Sequence, residues 1–160
     1  MKKLLLVACM TLVCAMAFAQ KGTMGAGINL NYGLHSDYKN FGIGVKYQYE
    51  FVENVRGEAS FNYFFKKDLC TMWDANLNFH YLFHLGEKPV LYPVAGLTLL
   101  GTSVDLGAFG SASDTNIGAN LGVGFEYPIV DAFKLNAEVK YQLVKDWNRP
   151  VISIGAVYNF

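Results

Sequence analysis

Cysteine is almost missing from this chain. Three occur in 160 residues; Cys9 and Cys14 lie inside an N-terminal leader pattern, so a processed chain keeps Cys70 alone. That excludes an intramolecular disulfide and leaves Cys70 as a small packing residue or a free thiol. Long apolar runs are missing too. Beyond the leader no stretch approaches the roughly 18 residues of a spanning helix, so passage through a membrane would require a closed barrel. Charge of one sign is also lacking, with 13 basic and 13 acidic residues. No basic surplus points to nucleic acid, and there is no cysteine-rich or histidine-rich metal motif.

The leader has three parts. Lys2 and Lys3 form a positive start, Leu4 to Phe18 is mostly apolar, and Ala17-Phe18-Ala19 supplies a small-x-small cleavage pattern. The expected division is a cleaved signal peptide over 1–19 and one domain over 20–160. Cleavage removes two lysines, leaving eleven bases against thirteen acids, a net charge of −2. A lipobox reading of Leu6-Val7-Ala8-Cys9 leaves an apolar stretch of about five residues, short of the usual roughly 7–15.

What the chain has in abundance is two-residue alternation. Phe41 to Phe51 puts Phe41, Ile43, Val45, Tyr47, Tyr49 and Phe51 on one parity and Gly42, Gly44, Lys46, Gln48 and Glu50 on the other. Val55 to Phe65 and Trp73 to Phe83 repeat it, as do Met24 to Tyr32, Ile117 to Tyr127, Phe133 to Leu143 and Ile152 to Phe160. Val90 to Gly101 is apolar on both parities and holds Pro93, which belongs at a strand end or a bulge. Eight segments of about nine to eleven residues match the length of tilted membrane-crossing strands.

Connectors alternate between short (Val52 to Asn54, Leu85 to Pro89, Pro128 to Ala132) and longer, more polar ones (Gly33 to Asn40, Lys66 to Met72, Thr102 to Asn116, Val144 to Pro150). Short turns on the periplasmic rim and longer loops outside follow, with both termini periplasmic. A soluble barrel with its apolar face inward is the competing arrangement. Two features oppose it. The polar parity is rich in glycine, including Gly25, Gly27, Gly42, Gly44, Gly118, Gly122, Gly124 and Gly155, which suits a crowded narrow lumen. The apolar parity carries aromatics near strand ends, the placement of interfacial girdles.

The polar parity also carries Lys46, Glu50, Arg56, Glu58, Asp74, Glu126, Lys134, Glu138 and Lys140. Inside eight strands such charges must be paired or hydrated. Pairing Phe51 with Val55 sets Glu50 opposite Arg56 and Glu58 diagonal to Lys46; pairing Tyr127 with Phe133 sets Glu126 opposite Lys134. The expectation is a salt-bridged plug rather than a wide channel. His80 and His84 share one strand face about 13 Å apart, too far to bind one metal directly. His35-Ser36-Asp37 has triad residue types, but consecutive loop residues rarely converge on one point. The glycines between Gly118 and Gly124 lie in a strand, not a phosphate loop. No catalytic set, cofactor or metal is expected.

The chain ends on Tyr158-Asn159-Phe160, with both aromatics on the apolar parity. This resembles the last strand of bacterial outer-membrane barrels, where the terminal aromatic acts as an assembly signal. Leader, eight segments and girdles together resemble small outer-membrane barrels of the OmpA/OmpX-like, porin-like type. The resemblance implies an all-β, eight-stranded antiparallel up-and-down transmembrane barrel in the Gram-negative cell envelope. It also implies a lipid-embedded monomer inserted by the outer-membrane assembly machinery, with roles ranging over envelope integrity, adhesion and resistance to host defences. The chain departs from OmpA in showing no C-terminal peptidoglycan-binding domain, and only Thr102 to Asn116 offers much outer surface. A non-enzymatic structural or surface-interaction role is expected, with a lipid-modifying enzyme or a narrow channel as alternatives.

Overall fold

The computed structural model describes residues 22–35, 39–67, 70–105 and 110–160. The leader, its cleavage site, Ser36 and Asp37 lie outside the described residues. Eight long strands carry the alternating segments: β1 (Met24–Leu34), β2 (Lys39–Val52), β3 (Val55–Lys67), β4 (Cys70–Tyr81), β5 (Val90–Asp105), β6 (Ser111–Val130), β7 (Phe133–Val144) and β8 (Arg149–Asn159). Beyond Leu82, β4 resumes as the two-residue stretch Phe83–His84.

Each strand pairs antiparallel with its sequence neighbour, and β1 pairs with β8 through Ile28↔Ala156, so the sheet closes. Closure satisfies the backbone groups that an open edge would leave bare. The seam extends to the last residue, whose N–H donates to the Met24 carbonyl at 2.9 Å.

Polarity is inverted relative to a soluble protein. Charged and amide side chains are buried while large apolar ones stand outside, including Ile28 at 68 % and Ile154 at 63 % exposed. From Phe133 to Val144 the exposure alternates without a break. A barrel this narrow fills its interior with its own side chains, and bulk is shared out between neighbours. One inward row runs Asn136↔Gly155↔Asn29↔Gly44↔Asn62↔Asp74 across six strands. A Cβ on Gly155 would lie 2.7 Å from the Asn136 amide. At Gly124 a Cβ would overlap the Cζ, Cε2 and Oη atoms of Tyr92. Outside, the Trp73 ring lies across Gly101 and the Phe51 ring across Gly57, an aromatic cover for bare backbone.

Several expected boundaries and registers are corrected. Glu50 does face Arg56, but Val52 rather than Phe51 faces Val55, because the ladder shifts between Glu50 and Val52. Asn54 completes that turn at φ 69°, a left-handed conformation asparagine tolerates. Tyr127 faces Leu135, and Lys134 faces Pro128 instead of Glu126, because β6 continues through an irregularity to Val130↔Phe133. The stretch from Thr102 to Asn116 is mostly ladder, with Thr102↔Asp114 and Asp105↔Ser111 paired. Its small polar residues occupy both faces, so alternation could not reveal strand there. Pro93 lies inside β5, neither at a strand end nor at a register shift. It sits where the ladder to β4 lapses between His80↔Val94 and Phe83↔Leu91, the gap its missing N–H imposes. Tyr49, expected in a girdle, is buried beside Gly22 and the Phe51 ring.

Candidate functional site: the filled lumen

The lumen is built in layers between the end carrying the termini and the opposite, loop end. At the loop end Phe64, Cys70, Met72 and Val151 form an apolar cluster, with Val104 and Trp147 packed against it. At the terminal end Leu82, Val90, Tyr92 and Val94 form a second. Two polar layers lie between them.

The layer beneath the loop-end cluster centres on Asp74, fully buried on β4. Its Oδ1 accepts from the amides of Asn62 and Asn76, both at 2.6 Å, and its Oδ2 from Gln142 and Arg149, both at 3.1 Å. Arg149 also donates to Gln142 Oε1 at 2.8 Å and lies 4.3 Å from the Phe64 ring centroid. The network spreads through Asn62 to Asn29 and Asn31, and through Asn76 to Asn120. A buried carboxylate holding four donors, one of them a guanidinium, meets the condition under which burial of charge is tolerated.

The second layer is ionic. Lys46 Nζ lies 3.2 Å from Glu58, and Lys140 Nζ 3.6 Å from Glu138. Glu126 accepts from Arg56 at 2.8 Å and pairs with Lys134 at 3.0 Å. With its amide oxygen and nitrogen exchanged, the assignment the neighbouring groups favour, Asn136 accepts from Lys46 and donates to the Gly155 carbonyl, each at 3.0 Å. Arg56 Nε donates to His80 Nδ1 at 3.3 Å, and the His80 ring stacks on Tyr92 with centroids 4.6 Å apart.

Of the nine charges read from the sequence, all but half-buried Glu50 are buried on the lumen side. The Lys46–Glu58 and Glu126–Lys134 contacts are both diagonal across a hairpin, while the ion pair of Arg56 reaches Glu126 across the barrel. Three contributors carry no signal in the charge pattern of the sequence: Arg149, Tyr92 and the amide set. Arg149 falls in the expected Val144–Pro150 connector but belongs to β8, and its parity with Val151 and Ser153 runs straight through Pro150 to place it inside. His80 is buried and His84 exposed. His35 packs against Trp147 with ring centroids 5.2 Å apart. Tyr158 and Phe160 point outward, Tyr158 facing Ala26 across the seam.

Outer membrane protein β-barrel domains match residues 5–160. The chain belongs to that family. Its place is therefore the bacterial outer membrane. Among curated proteins nothing matches. Among solved structures, Neisserial surface protein A is similar over 87 % of this chain and 97 % of its own, at 20 % identity and a TM-score of 0.71. Ail, the attachment invasion locus protein of Yersinia pestis, is similar over the same shares at 19 % identity and 0.65. The N-terminal barrel domain of Pseudomonas aeruginosa OprF is similar over 88 % of this chain and 100 % of its own, at 18 % identity and 0.69. At these identities the likeness is one of fold.

Proposed function

We propose that this outer-membrane barrel is a closed, non-enzymatic wall protein with a structural or surface-interaction role. The observation that carries the reading is the filled lumen, apolar at both ends and joined by paired charges and amides between. Water and solutes would have to break buried ion pairs to pass, and unpaired buried charge costs several kcal/mol. Planar-bilayer recording of the refolded protein tests this. A silent bilayer is expected, and stable unitary conductance would replace the wall reading with the narrow channel.

With the termini in the periplasm, the β5–β6 hairpin faces outside. The last pair between β6 and β7 is Gly118↔Val144, so the 111–117 end of β6 runs past its β7 partner. A projecting ladder of serine, threonine and asparagine is suited to meeting another surface. The lipid-modifying alternative lacks support in the described residues: His35 is engaged by Trp147. Unchanged lipid A acylation in a deletion strain is the expected result. Outer-membrane lipid as the surrounding medium, a monomeric state, and Tyr158 and Phe160 as the signal read by the assembly machinery belong to the same proposal.

A further inference from the structure

Glu58, His80 and Glu138 reach the lumen from β3, β4 and β7, and one ligand atom from each lies within 4.8 Å of the other two. Among the described residues, His80 Nε2 and Glu138 Oε2 find no partner, nor does Nη2 of the adjoining Arg56, although all three residues are at least 98 % buried. A histidine between two carboxylates is a donor set that a transition metal could use. The hydrogen bonds around it decide otherwise.

Arg56 Nε can only donate, so His80 Nδ1 must be its acceptor. The ring proton then sits on Nε2. A metal bound at Nε2 would need that lone pair, and would leave an Nδ1 proton pointing at the Arg56 N–H. Histidine ligands ordinarily donate their second ring N–H to an acceptor; here the second-shell group is a donor. The carboxylates are also matched already, Glu58 by Lys46 at 3.2 Å and Glu138 by Lys140 at 3.6 Å. A divalent ion would enter a site holding two ammonium groups and a guanidinium.

Between His80 and Glu138 the cluster lacks one acceptor for Nε2–H and one donor for Glu138 Oε2. Water supplies both. Two hydrogen bonds of about 2.8 Å through one oxygen bridge atoms up to roughly 5.6 Å apart, and buried waters settle where two or more such groups converge. We propose that this cluster is a buried water site that refuses metal, with neutral His80 in its Nε2–H form bridged by one water to Glu138. A continuous polar chain then crosses the lumen from Lys140 through Glu138, water, His80 and Arg56 to Glu126. Tyr92 holds it in place by stacking on His80 and lying 4.9 Å from the Arg56 guanidinium.

The test is nitrogen-15 NMR of histidine-labelled protein, refolded in detergent with and without an excess of Zn²⁺. Zinc is present during refolding so that the closed lumen does not keep it out. The expected result is an unprotonated Nδ1 and a protonated Nε2 on His80, a magnetisation-transfer peak from Nε2–H to bound water, and no change with zinc. An Nδ1–H tautomer, a doubly protonated ring or the absence of the water peak overturns the proposal. So does a zinc-dependent shift of the His80 nitrogens that disappears in Glu138→Gln.

Discussion

At the residue scale, Asp74 is the position on which the lumen depends most. It holds four donors from three other strands and β4 itself. Asp74→Ala leaves the Arg149 guanidinium buried without its counterion, and loss of one partner of a buried pair costs about 3–5 kcal/mol. Urea unfolding from lipid vesicles should show a loss of that size. Arg149→Met should cost less, because the carboxylate keeps three amide donors; an equal or larger loss would show that the hub is misassigned. A second prediction concerns bulk. Gly124→Ala places a methyl where the Tyr92 ring lies, so thermal stability should fall. Combining it with Tyr92→Leu should give less than the sum of the two separate losses, and strict additivity would deny the contact. Individual charges were legible in the sequence, since parity alone sends Lys46 and Glu58 to one face. Their partners were only partly legible. Arg56 finds Glu126 on the far side of the barrel, and no pattern along one hairpin encodes that distance.

At the element scale, each strand presents apolar side chains outward from end to end of its lipid-facing part, and a charge there must enter hydrocarbon. Leu121 lies midway along β6 and is 54 % exposed. Leu121→Lys should destabilise the folded barrel by about 2–4 kcal/mol. The same substitution at exposed Thr115 on the projecting part of β6 should change stability by less than about 0.5 kcal/mol. Equal effects on urea unfolding would contradict the assignment of lipid-facing and projecting parts. At the β2–β3 turn, Asn54→Val forces a branched side chain into φ 69° and should cost about 1–2 kcal/mol, whereas Asn54→Gly should not. Strand existence was legible wherever the two faces differ in polarity, as in β2 and β7. It was illegible past Thr102, where serine and threonine sit on both faces. Registers slipped at Glu50–Val52 and Pro128–Val130 because an irregularity there adds one residue to one strand, where apolar neighbours such as Phe51-Val52 and Ile129-Val130 give no parity signal.

At the scale of the whole molecule, an apolar wall encloses a polar interior flanked at each end by an apolar cluster. The wall was legible because it is written at every second position of most strands, the exceptions being β5 and the start of β6. The apolar packing at the two ends was not legible, since Phe64 and Tyr92 sit on the nominally polar parity and their inward packing depends on Gly42 and Gly124 opposite. The inside-out arrangement is tested most directly by refolding the chain with and without lipid vesicles and comparing gel mobility before and after boiling. The account predicts a folded species only where lipid is present, with a mobility that boiling converts to that of the unfolded chain. A single mobility under both treatments, or a folded species in lipid-free buffer, would contradict it.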